Sequence, residues 1–224
     1  MKKGYFITGT DTNAGKTWTT LALMHAFKKQ GKSIIGMKPV ASGCRLIDGK
    51  LKNDDALLIQ QHATVNIDYD LINPYAYELP VSPHLAGKDN PVDMSLLLSR
   101  FNQIKSMADI VLVEGAGGWY SPVNDSQDIS DLAKALDLPV ILTVAIRLGC
   151  INHAKLTAQA IRLQGLNLVG WIAVCSDPNI QYPEENIGTI SKSIDSHLLG
   201  TLPYLERPDF DLLAEHLDLN GFSG

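Results

Sequence analysis

Gly15, Lys16 and Thr17 form the triplet whose types and spacing most clearly imply chemistry. They close the run Gly9-Thr10-Asp11-Thr12-Asn13-Ala14-Gly15-Lys16-Thr17, which follows a short apolar stretch and precedes a helical one. A loop in that place turns backbone N–H groups toward an anion, and the helix behind it adds positive potential at its N-terminus. Gly15 lets the backbone approach phosphate, Lys16 reaches terminal phosphoryl oxygens, and the Thr17 hydroxyl can ligate Mg²⁺. The general pattern puts its first glycine at position 10. This chain has Thr10 there, and its glycine is Gly9, one residue early.

Acidic residues that could complete a metal site follow. Mg²⁺ takes oxygen ligands and one or two carboxylates. The apolar run Ile110-Val-Leu-Val113 ends in Glu114, followed by Gly115-Ala116-Gly117-Gly118. A second acid comes from Asp54 or Asp55, which also suit the first turn of a helix. Another lysine, Lys38, ends the run Ile34-Ile35-Gly36-Met37. A strand-end lysine beside a phosphate loop can stabilise charge on a transferred phosphoryl group. Ser42, in the small-residue turn after it, can hydrogen-bond a substrate.

Such residues need a rigid frame. Strands are expected at Tyr5–Thr8, Ser33–Lys38, Ile110–Glu114, Val140–Val144, Leu168–Val174 and Leu198–Thr201. Most are continuous apolar runs, as in strands buried on both faces. Helices are expected at Thr17–Gln30, Met94–Lys105, Ile129–Leu136, Ile151–Gln164 and Glu184–His197, with a short one near Asp209–His216. The alternation predicts a single α/β domain: a parallel sheet flanked by helices on both faces. Ligands on such sheets bind beyond the carboxyl ends of the strands. Two long connections, Pro39–Asn53 and Asn66–Pro91, are expected to fold over the site.

Composition narrows the classes. The 224 residues are 45% hydrophobic and 19% charged, with net charge -5, which describes a folded and mildly acidic protein. That balance argues against non-specific nucleic-acid or anionic-membrane binding. Cys44, Cys150 and Cys175 are too few and too scattered for a metal knuckle or redox pair, and are expected reduced in the cytoplasm. Lys2 and Lys3 precede too short an apolar run for a signal peptide, and no stretch is long enough to span a membrane. His25, His62, His84, His153, His197 and His216 show no metal-like spacing and are expected to be structural.

Taken together, the motifs resemble one family, the ATP-dependent dethiobiotin synthetases, within the P-loop NTPase fold. The resemblance runs from Phe6 to about Leu205. It is carried by Gly9-Thr-Asp-Thr-x-x-Gly-Lys-Thr17, Lys38-Pro-Val-Ala-Ser-Gly43, Asn73-Pro-Tyr75, Ser82-Pro-His84, Val113-Glu-Gly-Ala-Gly-Gly-Trp119 and Leu148-Gly-Cys-Ile-Asn-His153. The family's own loop has the early glycine. The resemblance implies conversion of 7,8-diaminononanoate, CO₂ and ATP to dethiobiotin, ADP and phosphate, through a carbamate and a carbamic–phosphoric anhydride.

It further implies that Lys16 and Lys38 hold the phosphoryl and carbamate oxygens. Thr17, Asp55 and Glu114 surround Mg²⁺, with Asp55 preferred to Asp54 because it directly precedes Ala56. Thr12 and Ser42 meet the substrate's amine or carbamate end. Asn13, Ala14, Trp18, Gly115, Ala116, Gly117, Val174, Cys175, Pro203, Tyr204 and Leu205 complete the nucleotide side. The family is a homodimer, and Gly149, Cys150, Ile151 and Asn152 resemble the partner-chain piece that holds the substrate carboxylate.

One position departs. Where the family has an adenine-reading Asn at a strand end, this chain has Val174, whose side chain has no polar atom. Backbone groups of residues 174–176 and 202–205 are then left to hold the base, which implies weak discrimination between ATP and CTP. Three alternatives remain beside this reading. A MinD-like ATPase switch would carry a lysine four residues before Gly15, where Asp11 stands. An amidotransferase synthetase would need a glutaminase domain, for which 224 residues leave no room. A non-catalytic relative would not be expected to keep Lys16, Thr17, Lys38 and Glu114.

Overall fold

The computed structural model describes residues 4–220; Lys2 and Lys3 lie outside them. In chain order the elements begin with β1 (Gly4–Gly9), α1 (Lys16–Lys29), β2 (Ile34–Met37), β3 (Val40–Ala41), β4 (Arg45–Ile47) and β5 (Lys50–Lys52). Next come α2 (Asp54–His62), α3 (Tyr69–Ile72), β6 (Tyr75–Ala76), α4 (Pro83–Ala86), α5 (Met94–Ile104) and β7 (Ile110–Glu114). The chain continues through α6 (Ile129–Leu136), β8 (Val140–Ala145), α7 (Cys150–Leu163), β9 (Leu168–Val174), α8 (Pro183–Ser193), β10 (Leu198–Leu202) and α9 (Phe210–Glu215).

Six strands form one sheet in the order β10-β9-β8-β1-β7-β2, and every neighbouring pair is parallel. β1 is central, so the loop after it sits at the middle of the carboxyl edge. The strands read as apolar runs because helices cover both faces of the sheet. Phe6, Ile7, Val111, Leu112, Ile141, Leu142 and Trp171 are fully buried. At ~25 cal/mol per Å² of apolar surface, burying one such side chain contributes about 1.5–3 kcal/mol.

Local signals set the helix starts. Asp128 and Asp131 form a capping box on α6, Asn53 accepts from the Ala56 N–H at the start of α2, and Asp93 and Asp209 cap α5 and α9. Two expected elements differ, and one helix was not expected. β2 ends at Met37, so Lys38 lies just past the strand. α8 stops at Ser193, because Ile194 turns extended and buries its side chain before β10. α2 is a full helix between the first long connection and the second.

Neither long connection is structureless. The first contains β3 and the β4–β5 hairpin, whose turn residues Asp48 and Gly49 both have positive φ (51° and 76°), as a two-residue type I′ turn requires. The second contains α3, β6 and α4, and β6 pairs with β3. Both reach the carboxyl edge of the sheet, as expected from their length. Among the described residues no helix is long and apolar enough to cross a membrane.

Candidate active site

The loop from Gly9 to Thr17 joins β1 to α1 beside a cavity of about 850 Å³ at the carboxyl edge of the sheet. Its shape depends on glycine at position 15. Gly15 has φ 92°, and a Cβ there would lie 2.7 Å from Cγ1 of Val174. Backbone strain and close packing therefore both exclude a side chain. Asn13 is also left-handed, with φ 59°. An ion pair from Arg147 to Asp11, 2.7 Å, ties the loop to the segment after β8.

Lys16 is buried, and its Nζ donates to the carbonyl oxygens of Asp11 (2.9 Å) and Gly117 (2.6 Å). Burial pushes its pKa down to about 8, against the opposing pull of Glu114. Fewer water contacts make the charged form costly, so this ammonium gains from any anion that enters the loop.

A second cluster lies beside it. Glu114 is fully buried at the end of β7. The Thr17 hydroxyl donates to Glu114 Oε1 at 2.9 Å, and the Thr20 hydroxyl lies 2.7 Å from Oε2. The Lys38 ammonium donates to Glu114 Oε1 (2.7 Å) and to Asp55 Oδ2 (2.6 Å). Burial alone would lower the Lys38 pKa, but the Glu114 and Asp55 carboxylates outweigh it and hold the group above the ordinary lysine range. Lys38 thus sits as a buried cation between two carboxylates.

Asp54 and Asp55 are separated by their directions. Asp54 is exposed and pairs with Arg45 of the hairpin, whereas Asp55 lines the cavity. Thr17, Asp55 and Glu114 offer two carboxylates and a hydroxyl. That all-oxygen set suits a hard cation completed by water and phosphate oxygens. Among the described residues no cluster of three or more His, Cys, Asp or Glu side chains could hold a metal alone.

Ser42 also lines the cavity, and its Oγ is buried with no partner within the protein. A buried hydroxyl facing a cavity without a partner calls for one from a ligand. Thr12, Asn13, Trp18, Ala116, Gly117, Val174, Cys175, Pro203, Tyr204 and Leu205 line the same cavity. Gly115 and Ala14 do not. A Cβ on Gly115 would meet Ile129 and the Phe6 ring, at 3.0 and 3.3 Å, and Ala14 is fully buried behind the loop. The Val174 carbonyl accepts from Ile146 N–H, and the Cys175 N–H donates to Leu202. The Cys175 N–H is therefore committed within the protein, while the Val174 carbonyl already accepts one bond.

Gly149, Ile151 and Asn152 lie elsewhere. They line a separate depression at the start of α7 with Leu148, Lys155 and Asn186, while Cys150 is buried. Some residues of the site were missed in the sequence. Thr20, buried behind the cavity and bonded to Glu114, stands one helical turn after Lys16, a spacing that signals a shared face. Asn53 and Ser121 line the cavity without standing in any of the motifs. Pro80 and Val81 adjoin the Ser82-Pro-His84 motif and carry no signal of their own.

The comparisons agree with this geometry. A family model described as an AAA domain matches residues 3–209. The chain is 46% identical over 207 residues to the ATP-dependent dethiobiotin synthetase BioD of Vibrio vulnificus (strain YJ016), covering 92% of this chain and 91% of that protein. It is 44% identical over 220 residues to the protein of that name from Cellvibrio japonicus (strain Ueda107), covering 97% and 96%. Among solved structures, the septum site-determining protein MinD of Pyrococcus horikoshii, complexed with Mg-ADP, superposes with TM-score 0.57 at 16% identity, over 97% of this chain and 87% of that one. The signal recognition particle receptor FtsY of Elizabethkingia anophelis gives 0.58 at 16%, over 99% of this chain and 63% of that one. At that identity the structural likenesses show the fold, a P-loop NTPase sheet, while the sequence relatives show the family. The chain belongs to the ATP-dependent dethiobiotin synthetase family and is an ATP-dependent ligase.

Proposed function

We propose that the chain closes the ureido ring of dethiobiotin from 7,8-diaminononanoate, CO₂ and ATP, in the cavity beside the Gly9–Thr17 loop. The observation that carries this reading is the pair of buried lysines, Lys16 and Lys38, converging with Asp55 and Glu114 on one cavity. A carbamate beside a triphosphate concentrates negative charge, and two fixed ammonium groups offset it.

One amine of the substrate adds to CO₂ and loses a proton, giving the carbamate. A carbamate oxygen then attacks the γ-phosphorus, and the bond to the ADP oxygen breaks. The second amine attacks the carbamate carbon, and phosphate leaves with the C–O bonding pair. Ser42 Oγ and Thr12 orient the carbamate end, and Lys16 follows the charge that develops on the transferred phosphoryl group. Thr17, Asp55 and Glu114 would hold Mg²⁺, which supplies charge neutralisation on the phosphates. With those carboxylates engaged by a cation, the Lys38 ammonium would be free to meet the carbamate or phosphoryl oxygens.

The start of α7 is assigned to the substrate carboxylate of a second copy. Its N-terminal N–H groups suit an anion. Leu148, just before that helix, and Leu156 on it are both exposed and give the segment an apolar surface for a partner. Adenine selectivity is expected to be weak because Val174 offers no polar side chain to a base. Steady-state turnover with ATP and with CTP tests this: comparable rates support it, and strict ATP use contradicts it. The reaction itself is tested by product mass from diamine, bicarbonate, ATP and Mg²⁺.

A further inference from the structure

Away from the cavity, α1, α2 and α9 meet at a line of polar side chains. His25 Nδ1 lies 2.9 Å from Asp211 Oδ1, and His25 Nε2 lies 2.8 Å from His62 Nδ1. His25 is buried, while His62 is half-buried. One hydrogen fits between the two imidazoles, because an N–H needs a lone pair opposite it. With Asp211 ionised, His25 directs its Nδ1–H at that carboxylate.

The pair then has two compatible forms. In the neutral form His62 Nδ1–H donates to the His25 Nε2 lone pair. In the singly protonated form the remaining lone pair of the facing nitrogens still accepts one N–H. A second proton leaves two N–H groups facing each other and two cationic rings in contact. Lys28 of α1 opposes that second proton and Asp211 of α9 favours it, while Lys29 and Glu215 nearby offset each other as a pair. Burial, the His25 ring and Lys28 each lower the His62 pKa.

The junction leads to the cavity through α9. Phe210, its first residue, packs edge-on against Trp18 at 6.2 Å and lies 6.0 and 5.2 Å from the His25 and His62 rings. Trp18 lines the cavity, and so do Pro203–Leu205, a few residues before α9. Lys29 adds a second tether, donating to the Asp211 carbonyl oxygen at 2.8 Å.

We propose that His25, His62 and Asp211 form a proton-sharing clamp that positions the Trp18 and Pro203–Leu205 wall, so that acid loosens nucleotide binding. This rests on reading the large cavity as the nucleotide site. The three side chains are positioning residues, since none lines the cavity. Below the ordinary histidine range the doubly protonated pair opens, α9 loses its seat on α1, and the wall loosens.

The test is the affinity of the full chain for ADP with Mg²⁺ at about pH 7.5 and about pH 5, the window in which histidines titrate. It compares the native chain with His62→Gln, whose amide still bonds to His25 Nε2 but takes no proton. Titration of Lys16 and of the ADP phosphates is common to both chains and cancels in the comparison. The native chain is expected to lose roughly fivefold more affinity on acidification than His62→Gln, the lower end of ordinary coupling between sites. Equal losses in the two chains overturn the clamp. No nucleotide binding by either chain at pH 7.5 overturns the cavity reading and the positioning role with it.

Discussion

Removing the Lys38 ammonium would leave the buried Glu114 carboxylate with only the Thr17 and Thr20 hydroxyls beside it. An unpaired buried charge costs about 3–5 kcal/mol, so Lys38→Met should lower the thermal midpoint markedly. In the proposed arrangement, Mg²⁺ would compete with Lys38 for Asp55 and Glu114. The metal should therefore raise the midpoint of Lys38→Met by more than it raises that of the native chain. Equal shifts would separate Lys38 from the metal site. Ring closure in the variant should fall on the order of a hundredfold or more, the usual loss when a fixed charge that stabilises a transition state is removed.

Lys16 gives a pH dependence of known sign. Its folded pKa, about 8, is below the ordinary 10.5. Between those values the unfolded chain binds more protons, so this group makes stability rise with pH across the window. Phosphate favours the protonated form, so ATP affinity should fall as pH rises past about 8. Calorimetric titrations of the native chain and Lys16→Gln check this: the variant binds weakly at every pH and lacks that fall.

Among elements, the phosphate loop is the least tolerant. Gly15→Ala places a methyl group against Val174 in a left-handed backbone conformation, at a cost of order 1–3 kcal/mol from strain alone. Nucleotide binding should be lost while the far-ultraviolet circular dichroism is kept, because α1 and β1 are secured by core packing. Retained binding would show that the loop adapts.

The six strands were legible because each is an apolar run flanked by turn residues, and parallel pairing follows from the intervening helices. The loop, Glu114 and Lys38 were legible for the same reason, since each ends or follows a strand. The hairpin was not read, although Asp48-Gly49 between Arg45–Ile47 and Lys50–Lys52 signals it. Its strands are three residues each, too short for periodicity to register. The exclusion of Gly115 and Ala14 from the cavity was not legible either. Which way a loop residue faces depends on neighbours such as Phe6 and Ile129 that are distant in sequence.

The whole molecule separates two groups of expected site residues. The lysines, acids and Ser42 share one cavity, while Gly149, Ile151 and Asn152 line another surface of the same chain. A second copy docked through α7 would reconcile them. Leu156→Asp should then shift sedimentation toward the monomer and raise the KM for the diamine about tenfold or more, the effect of one lost charge-assisted contact. ATP affinity should hardly change. A monomeric native chain with full activity would contradict this arrangement.

The reaction is tested most directly by phosphate release from ATP, Mg²⁺ and bicarbonate, with and without 7,8-diaminononanoate, with the product mass recorded. Two buried lysines over a carbamate site predict phosphate release only with the diamine, matched mole for mole by a ring-closed urea. Phosphate release indifferent to the diamine would contradict that reading and point to a nucleotide-driven switch.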